Sequence, residues 1–149
     1  MDLKSTWKLF LTIAFSIMMI SCHKPEKEYL VIGEFRYLNA TDEIVSIKIV
    51  YGFNQVLPFY SILPHDTLII TTSGETGSKL ADPLDYRPGI SGDTTTIVFR
   101  DTLCYREYHQ AGPILQNIKS YSWQKRSDRD YVFFFKIDSS LLNKATKCN

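Results

Sequence analysis

From Tyr29 onward, apolar and polar side chains alternate in short runs. In Ile44–Tyr51 the residues Val45, Ile47, Ile49 and Tyr51 fall on one face and Ser46 and Lys48 on the other, the period of a half-buried strand. Tyr29–Leu38, Thr67–Ser73, Leu103–Tyr108 and Asp130–Ile137 are rich in the β-branched and aromatic residues that pack well on a pleated surface, so they too read as strands. Asp93–Arg100 has apolar side chains on both faces and is predicted to be a central strand. Pro58 cannot donate a ladder hydrogen bond, which demotes Gln55–Leu63 to an edge or a bulge. Ile114–Trp123 is ambiguous between strand and irregular chain, and Gln124–Asp130 reads as a polar loop. Asp138-Ser139 is an N-cap signal for a short helical turn over Leu141–Ala145. Between the strands lies one long irregular stretch, Gly74–Gly92, with four glycines and two prolines. Loops of that length in a compact domain are usually functional or mobile.

Seven to eight short strands and no amphipathic helix of useful length predict an all-β protein. The expected architecture is a single antiparallel β-sandwich, immunoglobulin-like or transthyretin-like, with a short C-terminal helical turn.

The first residues follow a different pattern. Lys4 and Lys8 precede or flank a charge-free apolar run, Leu9–Ile20, about a dozen residues long and shorter than the ~20 a membrane-spanning helix needs. That is the pattern of a removable secretory signal. Met19-Ile20-Ser21-Cys22 resembles the lipobox of bacterial lipoproteins, with methionine where leucine is usual. The resemblance implies cleavage before Cys22, a diacylglycerol on its sulfur and an acylated amine. Two or more acyl chains hold a protein stably on a bilayer, where one does not. The chain therefore divides into a signal peptide (1–21), a lipidated cysteine and tether (22–28) and a sandwich domain (29–149).

Without the signal, 128 residues remain, enough for one domain with its own core. They carry fifteen basic and fifteen acidic side chains, so nothing in the charge favours nucleic acid as a partner. With Cys22 committed to lipid, Cys104 and Cys148 are the remaining candidates for a disulfide, in keeping with an oxidising envelope compartment. Such a bond would close a loop of about 45 residues and stabilise by roughly 4 kcal/mol on a chain-entropy basis. Two separate thiols are the alternative.

Several segments together resemble the small, largely uncharacterised outer-membrane lipoproteins of Bacteroidota. These are the lipobox, Tyr37-Leu38-Asn39-Ala40-Thr41, Leu63-Pro64-His65-Asp66-Thr67-Leu68, Gly92–Asp101, and Tyr131–Asp138 leading into a helical turn. The resemblance implies a sandwich on the outer membrane, on either its periplasmic or its surface face, and transfers no catalytic residue.

Candidate chemistry is sparse. His23, His65 and His109 lack the paired spacing of a zinc site, so no metal or other cofactor is expected. Gly89-Ile90-Ser91-Gly92 is one residue short of a nucleophile elbow, and Gly74–Lys79 lacks the spacing of a phosphate loop. Tyr105, Tyr108, Tyr121 and Trp123 are candidates for stacking on sugar rings, although such rings more often fill a core. Asp66-Thr67-Leu68 and Asp101-Thr102-Leu103 resemble acceptor sites for O-glycosylation at Thr67 and Thr102, and equally resemble ordinary turn-to-strand chemistry. The expected function is a non-catalytic, lipid-anchored interaction or accessory module whose partners are the membrane and an envelope protein or glycan. A carbohydrate-binding lipoprotein is the alternative, and a small hydrolase ranks behind both.

Overall fold

The computed structural model describes residues 28–52, 55–56, 59–77, 79–108 and 112–148. Cys22, His23 and His109, and with them the expected lipidation site and most of the expected tether, lie outside the described residues. Among the described residues, ten strands form two sheets. The first sheet has the order β5-β1-β9-β8, built from β1 (Tyr29–Asn39), β5 (Thr67–Thr76), β8 (Ser122–Ser127) and β9 (Asp130–Ile137). The second runs β10-β7-β6-β2-β3, with β4 also paired to β2. Its strands are β2 (Val45–Tyr51), β3 (Gln55–Val56), β4 (Tyr60–Ile62), β6 (Thr94–Phe99), β7 (Leu103–Tyr108) and β10 (Thr146–Lys147). The protein is an all-β sandwich. One pairing departs from the antiparallel rule, since β1 runs parallel to β9, with Phe35 opposite Phe133 and Tyr37 opposite Phe135.

The inward phase of each strand explains the core. Phe35 and Tyr37 of β1, Tyr131, Phe133, Phe135 and Ile137 of β9, and Val45, Ile47 and Ile49 of β2 join Ile97 and Phe99 of β6 in one buried cluster. The rings of Phe35 and Phe133 stack at 4.7 Å, and Tyr121 meets Phe35 edge-on at 5.9 Å, the arrangements that ring quadrupoles favour. β6 is central, flanked by β2 and β7, as its two apolar faces require. Asp138 caps helix α1 (Ser139–Leu142) by accepting from the Ser140 N–H at 3.0 Å, and Leu141 enters the core.

The described residues of the 55–63 segment form two short strands, both pairing with β2, with β3 at the sheet edge as expected. Two expectations need correction. The polar stretch from Gln124 is not a loop but most of β8, an edge strand exposed along its whole length. A strand with one free edge and little to cover needs no apolar face, and its Lys125 and Arg126 discourage pairing with another chain. The Gly74–Gly92 stretch is neither wholly irregular nor detached. Its first three residues complete β5, and its later part is packed into the sandwich.

Candidate functional site

The segment after β5 leaves the sheet edge, crosses to the β8–β9 turn and returns to the core. The Ala81 N–H donates to the Asp128 carbonyl at 3.0 Å, and the Tyr131 hydroxyl donates to the Ala81 carbonyl at 3.1 Å. Asp82 caps a 3-10 turn, Pro83–Asp85, by accepting from the Leu84 N–H. Tyr86 then packs against Tyr131 and Phe133 and donates its hydroxyl to the Arg129 carbonyl at 3.0 Å. Burial, reinforced by the nearby Tyr131 and Asp130, pushes the Tyr86 phenol up to about 12. Ile90 is fully buried, and the Thr95 hydroxyl donates to its carbonyl at 2.6 Å. A Cβ on Gly92 would stand 2.6 Å from Ile49 Cγ2 and 2.8 Å from the Val50 carbonyl oxygen, so only glycine allows the chain this close to β2.

The crossing leaves a half-open cleft of about 650 Å³ between this segment, the end of β5 and Tyr51. Glu75, Asp82, Asp85 and Asp93 line it, with the cation Arg87, and all of them are exposed. The Tyr51 hydroxyl donates to the Ser91 carbonyl, which fixes the ring at the cleft wall with about a third of its surface open. Burial raises the Tyr51 phenol above its ordinary value. The cleft thus offers a ring face, several carboxylates and a guanidinium. Its described lining holds neither histidine nor cysteine, and among the described residues no three His, Cys, Asp or Glu converge as a metal site.

Sequence reasoning missed a second polar centre. Glu107 is buried at 3% exposure, and its carboxylate accepts from the backbone N–H groups of Ile114, Leu115 and Gln116 at 3.0, 2.8 and 3.1 Å and from the Tyr105 hydroxyl at 2.6 Å. Four donors satisfy a buried charge that would otherwise be costly. The arrangement organises the 112–121 segment and spends the carboxylate on the fold. Its signal in the sequence was phase, because Leu103, Tyr105 and Glu107 share the inward face of β7.

The candidate sugar-stacking rings do not form a strip. Tyr105 and Tyr108 belong to β7 of one sheet, while Tyr121 leads into β8 of the other and Trp123 lies within it. Tyr121 is 5% exposed, with its hydroxyl donating to the Leu115 carbonyl at 2.7 Å, so it is a core residue and presents no face to a ligand. Tyr105 is partly buried and spends its hydroxyl on Glu107. Trp123 and Tyr108 are exposed, Trp123 with one edge against Tyr131. Cys104 and Cys148 are joined in a disulfide with their Cα atoms 5.1 Å apart, stapling the chain beyond β10 to β7. Thr67 and Thr102 are exposed; Thr67 follows a turn, with Asp66 accepting from its N–H at 2.7 Å, and Thr102 lies within one. His65 sits in a turn with φ of 62° and contacts Asp42 at 3.1 Å, a surface pair. No family model, curated protein or solved structure matches the chain.

Proposed function

We propose that the protein is a lipid-anchored, non-catalytic interaction module of a bacterial envelope, held at the outer membrane through Cys22. The observation that carries this reading is the disulfide. Once Cys22 is set aside for lipid, the remaining two cysteines are bonded to each other, which suits a domain that matures in an oxidising compartment. Two buried polar side chains, Glu107 and Asn39, are spent on the fold, which supports a non-catalytic role. Glu107 holds backbone N–H groups, and the Asn39 amide donates to the carbonyls of Glu43, Ile62 and Leu63. Intact mass of protein extracted from membranes tests the anchor. Wild type is expected to begin at a Cys22 heavier by a diacylglycerol and acyl chain, and Cys22→Ala to appear in the soluble envelope fraction. Membrane-extracted protein of unmodified mass would end the reading. Co-purification of the lipidated protein from its own membranes then identifies the partner.

A second reading, carbohydrate binding, draws on the cleft instead of the four rings. Tyr51 supplies a partly open ring beside carboxylates and a guanidinium, the pairing of apolar face and hydrogen-bonding groups that a sugar requires. Retention on envelope glycans that is lost in Tyr51→Ala and kept in Trp123→Ala supports it, while no retention of wild type removes it.

A further inference from the structure

We propose that the loop bearing Leu80 and Leu84 rests on the bilayer that holds Cys22, so that the sandwich stands on its anchored end. The inference rests on the anchor reading above. It begins with reach, because the seven residues from Cys22 to Glu28 span at most about 25 Å when fully extended. They enter the fold at Tyr29, so whatever lies beside Tyr29 is kept close to the acyl chains.

Three elements meet there. Tyr29 pairs with Thr76, the last residue of β5, from which the loop departs. The β8–β9 turn is adjacent, with the Arg129 guanidinium 4.9 Å from the Tyr29 ring centre and its carbonyl accepting from the Ile32 N–H at 2.9 Å. The loop is tied to the same turn through Ala81 and Asp128. The opposite end of β1, at Asn39, is roughly 33 Å away at the rise of a strand.

The loop sorts its apolar side chains in an unusual way. Tyr86 and Ile90 go into the sandwich, yet Leu80 is 61% exposed and Leu84 49% exposed, on a turn fixed by the Asp82 cap. Leu30, next to Tyr29, is 58% exposed. Three open leucines at the end nearest the anchor have the chemistry of a shallow apolar contact with lipid. The charged neighbours Lys79, Asp82, Asp85 and Arg129 are mixed in sign, so the contact does not depend on attraction to anionic headgroups.

The test uses the full lipidated chain in phosphatidylcholine vesicles that contain acyl-brominated lipid. On a Trp123→Phe background, which leaves the mature chain without tryptophan, Leu84→Trp places a reporter on the loop and Thr102→Trp a reference at the far end. Bromolipid quenching is expected to be several-fold stronger at 84 than at 102, and equal at low and high salt. Leu30→Trp serves as a second reporter if the loop variant misfolds, with the same expectation. Equal quenching at both ends overturns the inference. So does a blue-shifted emission at 84 without quenching, which would mean that a second copy or another protein covers the leucines. The intact mass of the same sample separates the two claims. Lipid on Cys22 without differential quenching overturns only the loop contact, whereas Cys22 without lipid overturns the anchor and the contact together.

Discussion

Two irregular segments enter this sandwich, and they are held by opposite means. The 79–93 segment is kept in place by apolar packing and close backbone approach, through Tyr86, Ile90 and Gly92. The 112–121 segment is organised around a buried charge, the Glu107 carboxylate with its three backbone donors. The first arrangement degrades gradually, because a core tolerates partial loss of contact. The second is close to all-or-none, since removing the acceptor strands several buried donors at once.

Glu107→Ala should therefore be the most damaging change, at about 4 kcal/mol, given the cost of orphaned partners around a buried charged acceptor. Urea denaturation measures the loss, and hydrogen exchange assigns it. The amides of Ile114, Leu115 and Gln116 should lose protection while those of Ala81 and Ser91 keep it. Equal loss in both segments would erase the distinction between them. Ile90→Ala should cost about 3 kcal/mol through the cavity it leaves, and should show the reverse pattern of exchange.

Alkaline pH acts on both segments together. Burial raises the phenols of Tyr86, on the first segment, and of Tyr105 and Tyr121, around the second. Their native pKa values lie above the unfolded value near 10, so the native state binds more protons there. Stability is full below about pH 10 and falls as pH rises through the native values. Absorbance of tyrosinate should accordingly appear in a late phase that coincides with unfolding; titration of every tyrosine near 10 in folded protein would contradict it. The smallest effects belong to the caps. Asp82 accepts from Leu84 N–H and Asn117 from Lys119 N–H, each at the start of a 3-10 turn. Asp82→Ala and Asn117→Ala should each cost about 1 kcal/mol, read as small shifts in urea midpoint.

β2 was legible in the sequence because burial of one face forces a two-residue period, while β6 and β9 were legible by their β-branched and aromatic content. β8 was not, because its six residues are all exposed and carry no such period. β10 is two residues long and depends on β7 and the nearby disulfide, so no local pattern marks it. The disulfide pair was named by elimination among three cysteines, but that the sulfurs meet depends on how β10 docks. The cleft was less legible. The 74–92 stretch stood out by its length, yet its packing depends on Tyr86 finding Tyr131 and on Gly92 reaching β2, contacts set by tertiary structure. The aromatic candidates misled because ring content does not reveal which way a ring points. Tyr121, close to the polar run that begins at Gln124, proved to be core.

The parallel pairing of β1 with β9 has a consequence for the order of assembly. A chain made from its N-terminus delivers β1 among the first elements and β9 among the last. One side of β1 can be satisfied early by β5, but its other side waits until Ile137 has crossed. Long-range pairing of this kind slows folding and leaves a strand edge open in the meantime. The Cys104–Cys148 bond is later still, because Cys148 lies beyond every strand of both sheets. The newly made chain thus passes through a stage in which its first strand is paired on one side only and its closing staple has not yet formed.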